Sequence, residues 1–257
     1  MPSALEPEQI YEETREEGRR RLARPVAELA ATALVGGFDV AFGVAAFALA
    51  KRAIAGDAGE LAGAIAFGIG FVFIVVGRSE LFTENFLIPV AGLERNRLGS
   101  WLKLAELWAV ALVLNIFGGA LLAVILTAHG VLPARSHPPL VQLAEHIARY
   151  STLTSFLSAL VAGALMTLMT WFVEGAADSM GVRIAMAWIT GTLILLGTFN
   201  HAIVSTLELV FGMRYGAGVD VSQLLANLGL AVAGNLAGGL LFVTFVRSIQ
   251  AAEGIRA

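Results

Sequence analysis

Two stretches of charged and hydroxyl residues interrupt sequence that is otherwise apolar enough for the interior of a membrane. They occupy corresponding places in the two halves of the chain. The first is Gly77-Arg78-Ser79-Glu80-Leu81-Phe82-Thr83-Glu84-Asn85, set between the apolar runs 67–76 and 86–90. The second is Phe199-Asn200-His201-Ala202-Ile203-Val204-Ser205-Thr206-Leu207-Glu208, set between 189–197 and 209–213. A charge at mid-membrane costs roughly 2.5 to 3.5 kcal/mol on insertion scales, so such residues line a solvated cavity or meet a partner. Interrupted hydrophobic segments paired across two halves mark the binding region of transport folds.

The rest of the chain fits a polytopic membrane protein. It is 57% hydrophobic and 14% charged, where a soluble domain carries about 25% charged residues. At about 20 residues per span, 257 residues hold six or seven helices and short loops. Six apolar segments are expected near 27–50, 61–91, 102–128, 153–173, 184–213 and 219–246, the second and fifth long enough to be broken helices. The expected organisation is a charged amphipathic helix outside the bilayer at 1–25, an all-α transmembrane domain at 26–248, and a short tail at 249–257. Within the first, Glu16 with Arg20 and Glu17 with Arg21 have the spacing of favourable i,i+4 pairs on a solvated helix. The connection 129–152, with Pro133, Pro138, Pro139, His129, His137 and His146, reads as a solvated loop. Glu174 and Asp178 also read as solvated.

Basic residues set the orientation. Arg15, Arg19, Arg20, Arg21, Arg24, Arg95, Arg97, Lys103, Arg183, Arg247 and Arg256 fall on the side of the N-terminus, against Lys51, Arg52, Arg135, Arg149 and Arg214 on the other. Both termini are therefore expected in the cytoplasm. An internal repeat at an offset of 120 residues relates Asn115-Ile116-Phe117-Gly118-Gly119 to Asn235-Leu236-Ala237-Gly238-Gly239, and brings His201 onto Leu81. Three spans per repeat make the halves inverted in topology. The glycine pairs permit close helix approach, and an asparagine inside each span requires a partner.

Taken in order and spacing, Glu80-Leu81-Phe82-Thr83, Phe199 with His201, and the two Asn-x-x-Gly elements at Asn115 and Asn235 resemble the formate/nitrite transporter family of prokaryotic anion channels, over roughly residues 30–246. The resemblance implies an aquaporin-like fold of six transmembrane helices in an inverted 3+3 repeat, in the cytoplasmic (inner) membrane. It implies a homopentamer with one pore per protomer, passing small monovalent weak-acid anions such as formate, nitrite or hydrosulfide. Thr83 matches the family's loop threonine and His201 its pore histidine. Leu81 matches an inner constriction. Phe67 falls where a phenylalanine narrows the outer mouth, with Ile194 at the matching place on the fifth span and Phe71 and Phe82 as further pore residues. Asn115 and Asn235 match asparagines that hold the broken helices. The chain departs from the family pattern at Arg78, Glu84, Asn200, Ser205 and Glu208.

Physically, a neutral imidazole in a pore donates one hydrogen bond and a protonated one donates two. Entry of an anion and protonation of His201 would then be coupled, with Thr83 assisting and the apolar residues acting as dewetting gates. Arg78 is expected to pair with Glu80, Glu84 or Glu208, or alternatively to face the pore and attract anions. Asp39 is a further buried acid in the first span, as a vestibule residue or a partner for a backbone amide. Unpaired carboxylates in the pathway would instead favour cations or neutral solutes, and bulky charges beside Thr83 could leave a closed, non-conducting homologue. No Gly-x-Ser-x-Gly or His-Glu-x-x-His pattern supports an enzyme. The absence of cysteine excludes thiolate chemistry. Neither a cofactor, a metal nor a nucleic-acid partner is expected, and the surroundings of the chain are lipid.

Overall fold

The structure is a computed structural model that describes residues 5–176 and 178–254. Among these residues every regular element is helical. Helix α1 (Pro7–Leu22) precedes α2 (Val26–Lys51), which begins directly after Pro25, where the missing N–H is harmless. Helix α3 (Gly56–Gly77) is followed by a 3₁₀ turn, Phe82–Glu84, and a single-turn helix α4 (Ile88–Ala91). Next come α5 (Leu98–Leu126), α6 (His137–Ala148), α7 (Thr152–Glu174), α8 (Met180–Leu196) and α9 (Ala202–Arg214). Helix α10 (Val221–Ala237) runs through a π-helical stretch, Gly238–Thr244, into α11 (Phe245–Gly254). Arg256 lies outside the described residues.

Five of these helices are long and apolar enough to cross a membrane: α2, α3, α5, α7 and the composite Val221–Ala252. Helix α8 is a shorter apolar helix and continues, after a break, into α9. Caps fix two of the helix starts. Ser151 Oγ accepts the Thr154 N–H at the head of α7, and Asp220 forms a capping box with Gln223 at the head of α10. Large apolar side chains stay exposed along the helices, among them Val113, Phe117 and Val124 on α5 and Phe242 on the π-helical stretch. For a spanning helix bundle this is the surface that lipid or a neighbouring subunit covers.

Both broken segments turn by the same device. Helix α3 ends at Arg78 (φ 54°), where the Ser79 N–H returns to the Ile74 carbonyl at 3.2 Å. Helix α8 ends near Thr198 (φ 47°), where the Phe199 N–H returns to the Ile194 carbonyl at 2.9 Å. This is the left-handed helix stop, ordinarily a glycine's place. After each stop the chain is non-helical at the depth of the core, so its backbone groups need partners from elsewhere in the protein.

The segment expected to be a solvated loop differs. Residues 137–148 form α6, because Pro138 and Pro139 sit in the first turn, where proline is compatible with a helix. Helix α6 packs on α9, where Gly212 admits Ala144, and His137 stacks on Tyr215 at 3.8 Å.

Candidate pore and its two mouths

Asn115 and Asn235 supply the partners that the broken segments need. Asn115 Oδ1 accepts the Phe82 N–H at 2.8 Å, and its Nδ2 donates to the carbonyls of Ala33 and Glu80 at 2.7 and 2.8 Å. Asn235 Oδ1 accepts the Ala202 N–H at 2.8 Å, and its Nδ2 donates to the carbonyls of Ala159 and Asn200 at 2.7 and 3.0 Å. Both asparagines are fully buried. The glycine pairs have the expected use: a Cβ on Gly118 would strike the Leu34 carbonyl, and one on Gly238 the Leu160 carbonyl.

Between the two breaks Thr83 and His201 meet, with Thr83 Oγ1 to His201 Nε2 at 2.7 Å and neither side chain exposed. His201 is also the N-cap of α9, its Nδ1 accepting the N–H groups of Ile203 and Val204 at 3.2 and 3.1 Å. A nitrogen that accepts carries no proton, so in the neutral ring the hydrogen is on Nε2 and is donated to Thr83. The Thr83 hydroxyl hydrogen is left free for another acceptor. Ser205 Oγ accepts the His201 N–H at 3.1 Å and fixes the ring's backbone.

Apolar side chains enclose this pair. Phe71 lies 6.0 Å from the His201 ring and 5.6 Å from Phe67, and Phe67, Phe71, Leu81 and Ile194 are each at most 1% exposed. The Phe82 ring packs 5.2 Å from Phe86, in a row that ends on Trp108.

The charged residues do not form the single network expected around Arg78. Arg78 is exposed and makes no ion pair among the described residues; it ends α3 in a left-handed turn and lies at the rim of the cavity beneath α1. Glu80 pairs instead with α1, its oxygens meeting Arg21 Nη1 at 3.0 Å and Arg24 Nη1 at 2.6 Å. Asn85 Nδ2 donates to the same carboxylate at 2.7 Å, and Arg21 also donates to Asn85 Oδ1 at 3.1 Å. Helix α1 is therefore not simply solvated. Gly18 lies against the backbone of Ile88 and Gly92, and Glu17 pairs with both Arg20 and Arg21 where Glu16 was expected to take part. Burial pulls the Arg21 guanidinium down, but the carboxylates of Glu80, Glu84, Glu17 and Glu174 outweigh it and hold Arg21 above its ordinary range. Asp39 accepts the Ser79 hydroxyl at 2.5 Å, and Glu208 is buried on α9 with Oε1 unpartnered among the described residues.

A cavity opens at each end. Beneath α1 a space of about 220 Å³ is lined by Glu17, Arg20, Arg21, Arg24, Arg78, Glu80, Glu84, Glu174 and Arg183. Glu174, expected in solvent, faces this cavity because α1 covers the end of α7, while Asp178 is exposed. At the opposite end about 340 Å³ lies among Phe47, Lys51, Glu60, His146, Arg149 and Thr198. His146, expected to be solvated on a loop, lies on α6 but stays exposed at this cavity beside Tyr150, whose hydroxyl donates to the Thr198 carbonyl at 3.0 Å.

The family model described as "Formate/nitrite transporter" matches residues 8–249. The chain belongs to the formate/nitrite transporter family. Membership makes it a multi-pass membrane transporter or channel rather than an enzyme. Among relatives, "Inner membrane protein YfdC" of Escherichia coli (strain K12) is 25% identical over 251 residues, covering 96% of this chain and 78% of that protein. "Uncharacterized transporter YrhG" of Bacillus subtilis (strain 168) is 25% identical over 249 residues, covering 93% and 91%. Among solved structures, an "FNT family ion channel" superposes with a TM-score of 0.78 at 17% identity, over 93% of this chain and 98% of that one. A "Pentameric formate channel with formate bound" gives 0.73 at 18% identity, over 87% and 96%. These likenesses establish the family's channel fold.

Sequence reasoning missed Arg21, Arg24, Asn85, Ser155 and Asn227. Asn200 Nδ2 donates to Ser155 Oγ at 2.6 Å and Asn227 Oδ1 at 3.0 Å, and Asn227 Nδ2 returns a bond to Asn200 Oδ1 at 3.1 Å. Asn227 and Ser155 were visible only as polar residues in apolar spans.

Proposed function

We propose that the chain conducts small monovalent weak-acid anions, with formate as the type substrate, in a proton-linked manner past Thr83 and His201. The carrying observation is the buried Thr83–His201 bond with Nδ1 committed to the α9 cap. The imidazole polarises the threonine, whose free O–H then serves an anion, and the α9 N-terminus adds positive potential. On both sides the anion meets apolar side chains, where a bare charge is far more costly than a neutral acid. Formate, nitrite and hydrosulfide are all small, singly charged and able to cross such a stretch in protonated form. Family membership and the formate found in one structural neighbour support this substrate class. The pentameric state of that neighbour and the exposed apolar helix faces support a homopentamer with a pore in each protomer. An inner-membrane relative and the basic residues on the α1 side support an inner-membrane protein with cytoplasmic termini.

The test is uptake of formate, nitrite and hydrosulfide by proteoliposomes from about pH 5 to about pH 8, comparing wild type with His201→Asn. Asparagine can still cap α9 while removing the Nε2–H donor. Uptake that rises on acidification and collapses in the variant supports the proposal. Failure of wild type to take up any of the three overturns it. A second reading, passage of cations or neutral solutes, draws on Glu84 in the α1-side mouth, unpaired among the described residues, and labelled methylammonium and urea in the same assay decide it.

A further inference from the structure

An anion that crosses an apolar stretch as its neutral acid must shed that proton at the far mouth. His201 is poorly built to receive it, because a proton on Nδ1 would displace both cap bonds from Ile203 and Val204. Resting on the proton-linked reading above, we propose that Glu84 is the proton-exchanging group of the mouth beneath α1, with Arg78 and Arg183 receiving the anion there.

Two acids of one loop are treated oppositely. Glu80 is saturated by Arg21, Arg24 and Asn85. Glu84 follows Thr83 directly, is 7% exposed, lines the 220 Å³ cavity, and has no side-chain hydrogen bond or ion pair among the described residues. The charges around it come from three helices and its own loop: Arg21 on α1, Glu174 on α7, Arg183 on α8, and Glu80. Arg20, Arg24 and Glu17 on α1 line the same cavity. Glu84 therefore faces two arginines and two carboxylates carried by neighbouring elements. Arg21 is already committed to Glu17, Glu80 and Asn85, which leaves Glu84 without a dedicated cation. Among the described residues Arg78 carries no ion pair, and the Arg183 Nε is buried without a partner. An acceptor for a proton and two free cations for an anion therefore share one small chamber next to the pore threonine.

For inward movement, the O–H bond of the weak acid breaks, its electron pair stays on the departing anion, and a Glu84 carboxylate oxygen takes the proton. The anion leaves past Arg78 and Arg183, and Glu84 releases the proton to cavity water. Outward movement reverses each step.

The test uses the full chain in liposomes sorted to one orientation by an N-terminal tag, with formate flux measured while only the pH on the α1 side is varied. Wild type should respond to that pH. Glu84→Gln should lose the response and slow roughly a hundredfold, the low end of what a positioned proton-transfer group contributes. Glu84→Asp should restore both in part, and Arg183→Gln should raise the half-saturating formate concentration on that side. A Glu84→Gln protein with wild-type rate and an unchanged pH response overturns the proposal. Should wild type carry no formate, the proton-linked reading fails by itself, and pH-difference infrared spectra of wild type and Glu84→Gln judge Glu84 independently. A protonated-carboxyl band that titrates in wild type and is missing from the variant supports the assignment, and identical spectra overturn it. Variants are used only when they elute as the same oligomer as wild type.

Discussion

Arg78 and Thr198, 120 residues apart, are the non-glycine residues with positive φ among those described, and each ends the helix that leads into a non-helical loop. A left-handed non-glycine residue is strained by roughly 1 to 2 kcal/mol. Among the described residues Arg78 has no ion pair to offset that strain, while Thr198 offers its backbone carbonyl to Tyr150. Arg78→Gly and Thr198→Gly should each therefore stabilise the protein, by about 1 kcal/mol after glycine's larger unfolded-state entropy is charged. Thermal unfolding in detergent checks this, and a fall in melting temperature for both would contradict the strain account.

The equivalence of the two breaks extends to the asparagines. Asn115 and Asn235 each tie one N–H and two carbonyls of different segments. Replacing either by leucine removes three hydrogen bonds and leaves a loop N–H and a loop carbonyl unpartnered in a dry interior, the third acceptor, Ala33 or Ala159, keeping its helical bond. At about 0.6 to 1 kcal/mol for each bond in a membrane protein, the loss is roughly 2 to 3 kcal/mol per site. Because the two sites share no partner, the double variant should lose about the sum. Urea or SDS unfolding in mixed micelles measures it.

The hydrophobic runs, the two breaks and the asparagine repeat were legible because each is a local departure from continuous apolar sequence. The destination of the α1 arginines was not. Arg21 and Glu80 are 59 residues apart, and nothing in the local pattern distinguishes Arg21 from a solvated i,i+4 partner of Glu17. Arg78 drew the pairing expectation because it is adjacent to the acids in sequence, but side-chain direction at a left-handed turn is a backbone property invisible in composition. Helix α6 was hidden by its prolines, which read as loop unless placed in a first turn. At the position matching Glu80 the other half carries Asn200, and the neighbours explain the difference. Two arginines reach the Glu80 carboxylate, whereas the Asn200 amide bonds the uncharged Ser155 and Asn227.

Glu80 is consequently the point at which α1 is fastened to the loop that bears Leu81 and Thr83. Glu80→Gln would leave Arg21 and Arg24 half-buried without their shared anion. Breaking a buried pair from one side costs about 3 to 5 kcal/mol, less here because the arginines retain some solvent and other partners. The expected effect is about 2 kcal/mol of destabilisation and faster trypsin cleavage within α1. Arg21→Gln combined with Glu80→Gln should recover part of the loss, because the second change removes a charge already orphaned. Unchanged cleavage rates in Glu80→Gln would show that α1 is held by its packing on α4, α7 and α11 rather than by this ion pair.

Thr83 offers the most direct probe of the pore itself. Its hydroxyl is the group left with a free hydrogen once His201 donates to it, and Thr83→Val keeps the shape while deleting both functions. A buried Nε2–H then loses its acceptor, costing about 1 to 3 kcal/mol of stability, and a passing anion loses its donor. Formate flux through Thr83→Val should fall by more than about tenfold, as expected when a buried charged group loses a hydrogen bond of roughly 1.5 to 3 kcal/mol. Thr83→Ser, which restores the hydroxyl, should stay within a few-fold of wild type. Stopped-flow measurement on matched amounts of reconstituted protein separates the two, and equal flux through the valine and serine variants would remove the hydroxyl from the permeation path.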